Sequence, residues 1–181
     1  MDDKRQRFEA QALPHLDSAY NLARWLTRSP ADADDIVQEA MLRAYRAFDS
    51  VRGQDVKPWL LAIVRNCFLT AAGQARQRAN LPLPGDDPET GEAAIPDDAP
   101  DPEIATIQAD HSRKLSRVIS SLPPEFREVL VLREMEDLSY RDIAEVTRVP
   151  IGTVMSRLAR ARSLIKDKWM DEVEGVRHGM P

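Results

Sequence analysis

A stretch in the middle of the chain combines prolines and acidic residues at a density that helices and strands do not tolerate. Residues 79–103, ANLPLPGDDPETGEAAIPDDAPDPE, contain six of the 13 prolines, eight acidic residues, and neither lysine nor arginine. Proline lacks a backbone donor, and a segment so poor in apolar side chains cannot offset the entropy cost of ordering. We therefore predict a flexible acidic linker at residues 79–106 that joins two small domains. The simplest role for it is a solvated tether, and mimicry of DNA by its acids is the alternative.

The charge balance changes sign once this linker is set aside. The whole chain has 25 basic and 30 acidic residues, which gives a formal net charge of -5. Without the eight linker acids, 22 acids remain against 25 bases, so the rest of the chain carries a net charge of +3. The acidic total therefore does not exclude a nucleic-acid partner.

The composition favours a helical, water-soluble protein. The chain is 43% hydrophobic and 30% charged, and it has few aromatic residues and only seven glycines, which predicts an all-α fold. Its first ten residues, MDDKRQRFEA, lack the apolar core of a signal peptide, and no membrane span is visible, so we expect a cytoplasmic protein without direct membrane insertion. The single cysteine, Cys67, lies in the apolar run WLLAIVRNCFL and is interpreted as a small buried hydrophobe.

Helical periodicity and capping signals outline the first domain, predicted at residues 1–78. Pro14 is expected to bend the first helix or to start a second one. Ser29 followed by Pro30 and Asp32 is typical of a helix N-terminus. The helix that starts there has apolar side chains at core spacing, and these are Val37, Ala40, Met41, Ala44 and Phe48. Three polar residues share another face, which composition alone would describe as ordinary surface: Asp35, Gln38 and Glu39.

A strongly apolar helix is predicted to begin at Pro58 and to end in a basic tail. It carries Asn66 inside its apolar run, and Arg76 and Arg78 in the tail. A buried amide needs hydrogen-bond partners. From the residues alone, the simplest interpretation of Asn66 is therefore an amide that is already satisfied within the protein.

The second domain, predicted at residues 107–172 with a tail at 173–181, has the pattern of a helix-turn-helix. An apolar stripe at Leu115, Val118, Ile119 and Leu122 is followed by a helix within PPEFREVLVLREM. Ser139 and Asp142 predict the cap of a short helix, TRVP predicts a turn, and another helix is predicted from about Gly152. The result is two short helices joined by a tight turn.

The last of these helices has two unlike faces. Advancing by 100° per residue places Thr153, Ser156, Arg157 and Arg160 on one arc. The opposite arc holds the expected core positions Ile151, Val154, Leu158, Ala161 and Ile165. Arg157, Arg160 and Arg162 have no acidic residue nearby in the sequence, so phosphate is the expected counter-charge.

Catalytic patterns are not visible in the sequence. His15, His111 and His178 lie far apart without metal-ligand spacing, and there is neither a glycine-rich phosphate loop nor a Ser, His and Asp set. We expect no enzyme activity, no catalytic residue, no metal, no cofactor and no small-molecule substrate.

Both modules, in this order, resemble the extracytoplasmic-function sigma factors of the sigma-70 family of bacterial transcription initiation factors. The first module carries the resemblance in DADDIVQEAMLRAYRAFDSVRG followed by KPWLLAIVRN. The second carries it in LPPEFREVLVLREMEDLSYRDIAEVTRVPIGTVMSRLARAR. The resemblance implies a stress-responsive factor that binds core RNA polymerase, directs it to promoter DNA, and is controlled by an anti-sigma factor.

The resemblance also implies roles for individual residues. Asp35, Gln38 and Glu39 would bind the polymerase clamp. Asn66 would read a flipped base of the melted minus-ten element, with Arg76 and Arg78 along the single strand. Thr153, Ser156, Arg157 and Arg160 would face the minus-thirty-five element, while Arg133 would contact a phosphate. Ala159 is smaller than the residue that relatives carry there.

Two other classes of protein remain alternatives at the level of sequence. A conventional helix-turn-helix regulator would bind an operator as a dimer, but it needs a dimerisation surface and a sensor region, and neither is apparent. An enzyme with an appended DNA-binding domain would need a catalytic set. Tight binding to promoter duplex without polymerase would identify the first of these alternatives.

Overall fold

The computed structural model describes residues 2–51, 55–79 and 105–178, and these residues form helices and turns without a strand. The helices are α1 (Asp2–Ala12), α2 (Leu16–Thr27), α3 (Pro30–Ala47), α4 (Val56–Ala79), α5 (Ala105–Ser120), α6 (Pro124–Leu130), α7 (Tyr140–Thr147) and α8 (Ile151–His178). One compact unit contains α1 to α4 and Glu145–Arg148, and a second contains α5, α6, α8 and the first part of α7, up to Ala144. The predicted all-α class with two helical units is confirmed. Most of the predicted linker, from residue 80 to 104, lies outside the described residues.

The core of the first unit is formed by α2, α3 and α4, which pack against one another. Leu22, Leu60, Leu61 and Val64 are completely buried there. The predicted start of α3 is confirmed, because the Asp32 amide donates to Ser29 Oγ at 3.3 Å. Pro14 acts as predicted, since a short 3₁₀ turn at Leu13–His15 separates α1 from α2.

The helix α1 is attached to the end of α3 by charged and aromatic contacts. Lys4 Nζ lies 2.7 Å from Asp49 Oδ2, and the Phe8 ring packs edge-on against Tyr45 and Phe48 with centroids 5.3 Å apart in each pair. The hydrogen bond from Lys4 lowers the pKa of Asp49. Because the Asp49 side of this ion pair is exposed, the aromatic contacts are the stronger part of the attachment.

The helix α4 begins earlier than predicted, at Val56 rather than at Pro58. The Lys57 amide donates to Asp55 Oδ1 at 3.1 Å, which caps the first turn. Pro58 fits inside that turn because amides in the first turn have no intrahelical acceptor. Further along, Cys67 is 3% exposed, as predicted, and burial raises the pKa of its thiol.

The core of the second unit contains Val118 and Ile119 of α5 together with Val154 and Leu158 of α8, all of them buried. One predicted core position, Ile151, is wrong, and one residue of the predicted apolar stripe, Leu115, is not buried. Leu115 is 42% exposed and Ile151 is 46% exposed. Both lie on the apolar face of their helix by angle, but an apolar face is buried only where another element covers it.

The chain does not leave the α-helical geometry of α6 abruptly. It continues from Leu130 into a π-helical turn at Val131–Met135, whose wider hydrogen bond joins the Glu136 amide to the Val131 carbonyl at 3.1 Å. Asp137 then adopts the left-handed conformation with φ 54°. This π-helical turn redirects the chain toward α7.

Within residues 2–51, 55–79 and 105–178, no helix combines the length and the hydropathy that a bilayer crossing requires.

Candidate nucleic-acid interfaces

The helix-turn-helix formed by α7 and α8 is held at its start by a reciprocal cap. The Asp142 amide donates to Ser139 Oγ at 3.1 Å, and the Ser139 amide donates to Asp142 Oδ2 at 3.3 Å. Between α7 and α8, Arg148 is left-handed with φ 56°. The Pro150 carbonyl then accepts the Thr153 amide at 2.9 Å, which starts α8. The predicted cap and the predicted helix-turn-helix are both confirmed.

The two faces predicted for α8 differ in exposure. Val154, Leu158 and Ala161 are buried. Ser156 and Arg160 are exposed, whereas Thr153 and Arg157 are half-buried. The Ser156 hydroxyl donates to the Thr153 carbonyl at 3.0 Å, and its oxygen can still accept a hydrogen bond. We call the four residues Thr153, Ser156, Arg157 and Arg160 the outer face of α8.

The arginines of the outer face have no acidic partner among the described residues. The ion pairs formed within residues 2–51, 55–79 and 105–178 involve neither Arg157 nor Arg160. The outer face is therefore cationic and free to bind an anion, as phosphate contacts or hydrogen bonds to base edges require.

Arg133 lies in the π-helical turn and is held by two contacts. Its Nη1 donates to the Leu138 carbonyl at 2.8 Å, and its guanidinium carbon lies 4.9 Å from the centre of the Tyr140 ring. The side chain is half-buried. The remaining N–H groups of the guanidinium are the ones that could contact a phosphate.

The prediction that phosphate would be the counter-charge of Arg162 is wrong, because this side chain is paired with a carboxylate of the protein. Its Nε and Nη2 both donate to Glu134 Oε1, at 3.2 and 2.6 Å. Hydrogen bonding to Glu134, and to a smaller extent to Tyr140, raises the pKa of Arg162. The prediction failed because Glu134 is 28 residues away in the chain, whereas charge patterning on a helix compares only neighbours three or four residues apart.

In the first unit, Asp35, Gln38 and Glu39 lie on the side of α3 that faces away from Ala33, Val37 and Ala40. Asp35 and Gln38 are exposed, and Glu39 is half-buried. Glu39 Oε1 accepts from Arg43 Nε at 2.6 Å. Sequence reasoning missed Leu42, which is 50% exposed, although its spacing of seven residues from Asp35 places it on the same side. We call these four residues the outer face of α3.

Asn66 lies in the middle of α4 and is half-buried. Its backbone carbonyl accepts from Thr70 Oγ1 at 2.9 Å. Among the described residues, its side-chain amide has no hydrogen-bond partner. Arg76 and Arg78 are exposed in the last turn of the same helix, so the amide and the two cations share one helix but lie about 15 Å or more apart along its axis.

In the described part of the chain, no three His, Cys, Asp or Glu side chains come together in a way that could hold a metal ion.

These features define a class, namely an all-helical protein of two modules, one of which is a helix-turn-helix. Family models match both modules: Sigma-70 region 2 over residues 13–78 and Sigma-70, region 4 over residues 112–165. The sigma-E factor of Haemophilus influenzae is 36% identical over 152 residues, which cover 81% of this chain and 78% of that protein. The sigma-E factor of Escherichia coli K12 is 36% identical over 142 residues, which cover 76% and 73%. The chain belongs to the extracytoplasmic-function sigma factors of the sigma-70 family.

Two solved structures share the fold. The sigma factor RpoE of Bartonella quintana, in complex with the anti-sigma factor NepR, matches with a TM-score of 0.67 and 22% identity, over 94% of this chain and 98% of that one. CnrH in complex with the cytosolic domain of CnrY matches with a TM-score of 0.62 and 20% identity, over 93% and 90%.

Proposed function

We propose that this chain is a promoter-specific transcription initiation factor that binds core RNA polymerase in the cytoplasm. It acts by binding and is not an enzyme, and it needs neither a cofactor nor a small-molecule substrate. Residues 1–78 form the domain for polymerase and the minus-ten element, and residues 107–172 form the domain for the minus-thirty-five element. Membership of the sigma family supports this proposal. The observation that carries it is the cationic outer face of α8, whose two arginines have no acidic partner within the described residues.

The outer face of α3 is the proposed contact with core polymerase. Asp35 and Gln38 are exposed, and Glu39 Oε1 accepts a hydrogen bond from Arg43 Nε at 2.6 Å. Leu42 adds an exposed apolar side chain to this set. An apolar residue among charged ones is the composition expected where a partner excludes water.

Asn66 is the proposed reader of a base in the melted minus-ten element. An amide presents both a donor and an acceptor, so it can pair with the edge of an extruded base. Its lack of a side-chain partner within the described residues leaves both groups available. Arg76 and Arg78 would contact the backbone of the single strand.

The outer face of α8 is the proposed reader of the minus-thirty-five element. Arg157 and Arg160 would donate to base edges, and Thr153 and Ser156 would add hydroxyl contacts. Arg133 would contact a phosphate through the N–H groups that Leu138 does not occupy.

An anti-sigma factor is the proposed regulator. The sigma factor RpoE occurs in a complex with the anti-sigma factor NepR, and CnrH occurs in a complex with the cytosolic domain of CnrY. For this chain, a partner that covers the outer face of α3, the outer face of α8, or both would silence the protein without unfolding it. A pull-down from cytosol and membranes under non-inducing conditions should recover such a partner, and recovery of polymerase alone would contradict this regulation.

Run-off transcription with core polymerase tests the proposed function. The template carries the promoter of the operon that encodes this chain, and the control reactions contain core polymerase alone. We expect a discrete transcript only when the chain is present. Tight and specific binding to the promoter duplex without polymerase, together with no transcript, would instead identify an operator-binding regulator.

A further inference from the structure

Two adjacent residues of the π-helical turn contact both helices of the helix-turn-helix. Arg133 donates to the Leu138 carbonyl at 2.8 Å and lies over the ring of Tyr140, the first residue of α7. Glu134, the next residue, accepts two hydrogen bonds from Arg162 in the middle of α8. A single turn of chain therefore contacts the start of α7 and the middle of α8.

One of the two hydrogen bonds between Glu134 and Arg162 is short, at 2.6 Å, but neither side chain is buried. Each side chain is 50% exposed, and ion pairs of this exposure add little to overall stability. Two N–H groups of one guanidinium meet the same carboxylate oxygen, which restricts the direction in which the side chain can extend. The contact therefore fixes the direction of the Arg162 side chain relative to Glu134, while it contributes little to the free energy of unfolding.

The position of Arg162 makes this restriction relevant to DNA reading. It follows Arg160 by two residues, or about 3 Å along the axis of α8. Hydrogen bonds to base edges require donors held within about 0.5 Å of their place. Arg162 lies about 200° around the axis from Arg160, so Glu134 holds α8 from the side opposite its outer face and can decide whether Arg157 and Arg160 reach the correct bases.

We propose that the π-helical turn Val131–Met135 positions the DNA-reading helix, with Arg133 fixing the start of α7 and Glu134 fixing α8 through Arg162. The proposal rests on the proposed function, because it assigns the outer face of α8 to promoter recognition. Glu134 and Arg162 are positioning residues, which act through Arg157 and Arg160 rather than by touching a base.

A direct role of Arg162 in DNA binding predicts a different set of effects. If Arg162 binds a phosphate and Glu134 competes for it, Glu134→Gln releases the cation and strengthens promoter binding, and Arg162→Gln weakens it. If the pair positions α8, both substitutions weaken discrimination between promoter sequences. Glu134→Gln therefore separates the two roles, because a phosphate role strengthens binding to all promoters alike and leaves discrimination unchanged, whereas the positioning role lowers discrimination.

The test is a double-mutant cycle in polymerase holoenzyme with Glu134→Gln, Arg162→Gln and both together. The measured quantity is the ratio of transcription from the preferred minus-thirty-five element to transcription from a single-base variant of it. We expect each single substitution to lower this ratio about two- to tenfold, and the double variant to lower it no further than the more severe single one. Additive effects, or an unchanged or higher ratio for Glu134→Gln, would overturn the proposal.

A matched pair in the first unit serves as the control for loss of charge. Arg5 and Glu9 form an exposed ion pair at 2.7 Å in α1, so Arg5→Gln and Glu9→Gln remove the same charges away from α8. These variants should keep the parental ratio, and an equal loss there would overturn the positioning role.

If the parent chain directs no transcription, the proposed function fails and this inference fails with it. A parent that transcribes, combined with an additive cycle, refutes the inference alone.

Discussion

Arg157 and Arg160 share the outer face of α8 but differ in their surroundings. Arg157 is half-buried and Arg160 is exposed. A half-buried arginine keeps its aliphatic stem against apolar neighbours while its guanidinium remains in water. Truncation of Arg157 therefore removes packing as well as charge, and truncation of Arg160 removes charge alone.

We expect Arg157→Ala and Arg160→Ala each to weaken recognition of the minus-thirty-five element by about 1 to 3 kcal/mol, because a guanidinium contact to a base edge is lost. The measurement is transcription by holoenzyme from a set of single-base promoter variants. Arg117→Ala, an exposed arginine on α5 of the same unit, is the control and should leave the pattern unchanged. Parental transcription from every promoter by both α8 variants would refute the assignment.

Asn66→Ala separates a structural amide from one that reads a base. The side chain is half-buried, without an amide partner in the described part of the chain. Its removal should therefore shift the melting temperature by only a few degrees. We expect the variant to bind core polymerase and to fail in opening the minus-ten element, because unstacking a base costs a few kcal/mol that its contacts must offset.

Two promoter templates make the Asn66→Ala experiment decisive. On a template already mismatched across the melted region, the unstacking cost is absent, so the variant should recover part of its activity. Discrimination at one base position should stay low, because the contact to that base is still missing. An equal loss on both templates with a clearly lower melting temperature would return Asn66 to a structural role.

Local patterns revealed most of the candidate residues, and distant contacts accounted for what they missed. The exposure of Arg160 follows from the helical angle within α8. The pairing of Arg162 with Glu134 does not, because it depends on how α8 packs against a turn far away in the sequence. Leu42 was missed for another reason, because leucines are found both in cores and on helix surfaces, and the residue type alone does not tell which.

At the scale of elements, helix ends were predicted well because a few side chains determine them. Ser29 and the pair of Ser139 and Asp142 bond to backbone amides within three residues, so the signal is contained in the local sequence. The π-helical turn after α6 has no comparable local signal. The exposure of Leu115 and Ile151 likewise depends on which neighbouring element covers them.

The end of α2 allows a test in which the same substitution has opposite effects at two nearby positions. Arg28 is left-handed with φ 60°, and its amide donates to the Arg24 carbonyl at 2.9 Å. Arg28→Gly should raise the free energy of unfolding by up to about 1 kcal/mol, because the left-handed conformation costs a residue with a Cβ about that much.

Arg24→Gly is the matched control, because Arg24 lies in the last turn of the same helix. Glycine in a helix interior should lower the free energy of unfolding by about 1 kcal/mol. Denaturant titration of both variants checks the pair of signs. Destabilisation by Arg28→Gly as large as that by Arg24→Gly would show that the Arg28 side chain contributes more than its backbone strain costs.

At the scale of the whole molecule, two helical units are joined through a segment that contains eight acids and six prolines. We expect the free chain to bind promoter duplex weakly, and to become specific only with core polymerase. Two linked modules gain from each other only when their separation fits the two DNA elements, and the polymerase supplies that separation. A mobility-shift assay of the isolated chain checks this, and tight, sequence-specific binding would contradict it.

The buried thiol of Cys67 makes the natural chain a good background for fluorescent labelling. It is the sole cysteine of the chain, it is 3% exposed, and its raised pKa keeps the reactive thiolate scarce at neutral pH. Cysteines introduced at exposed positions such as Gln74 and Met170 would therefore react with maleimide dyes much faster than Cys67. Energy transfer between two such dyes would then follow the distance between the units as polymerase and promoter bind, without removal of the natural cysteine.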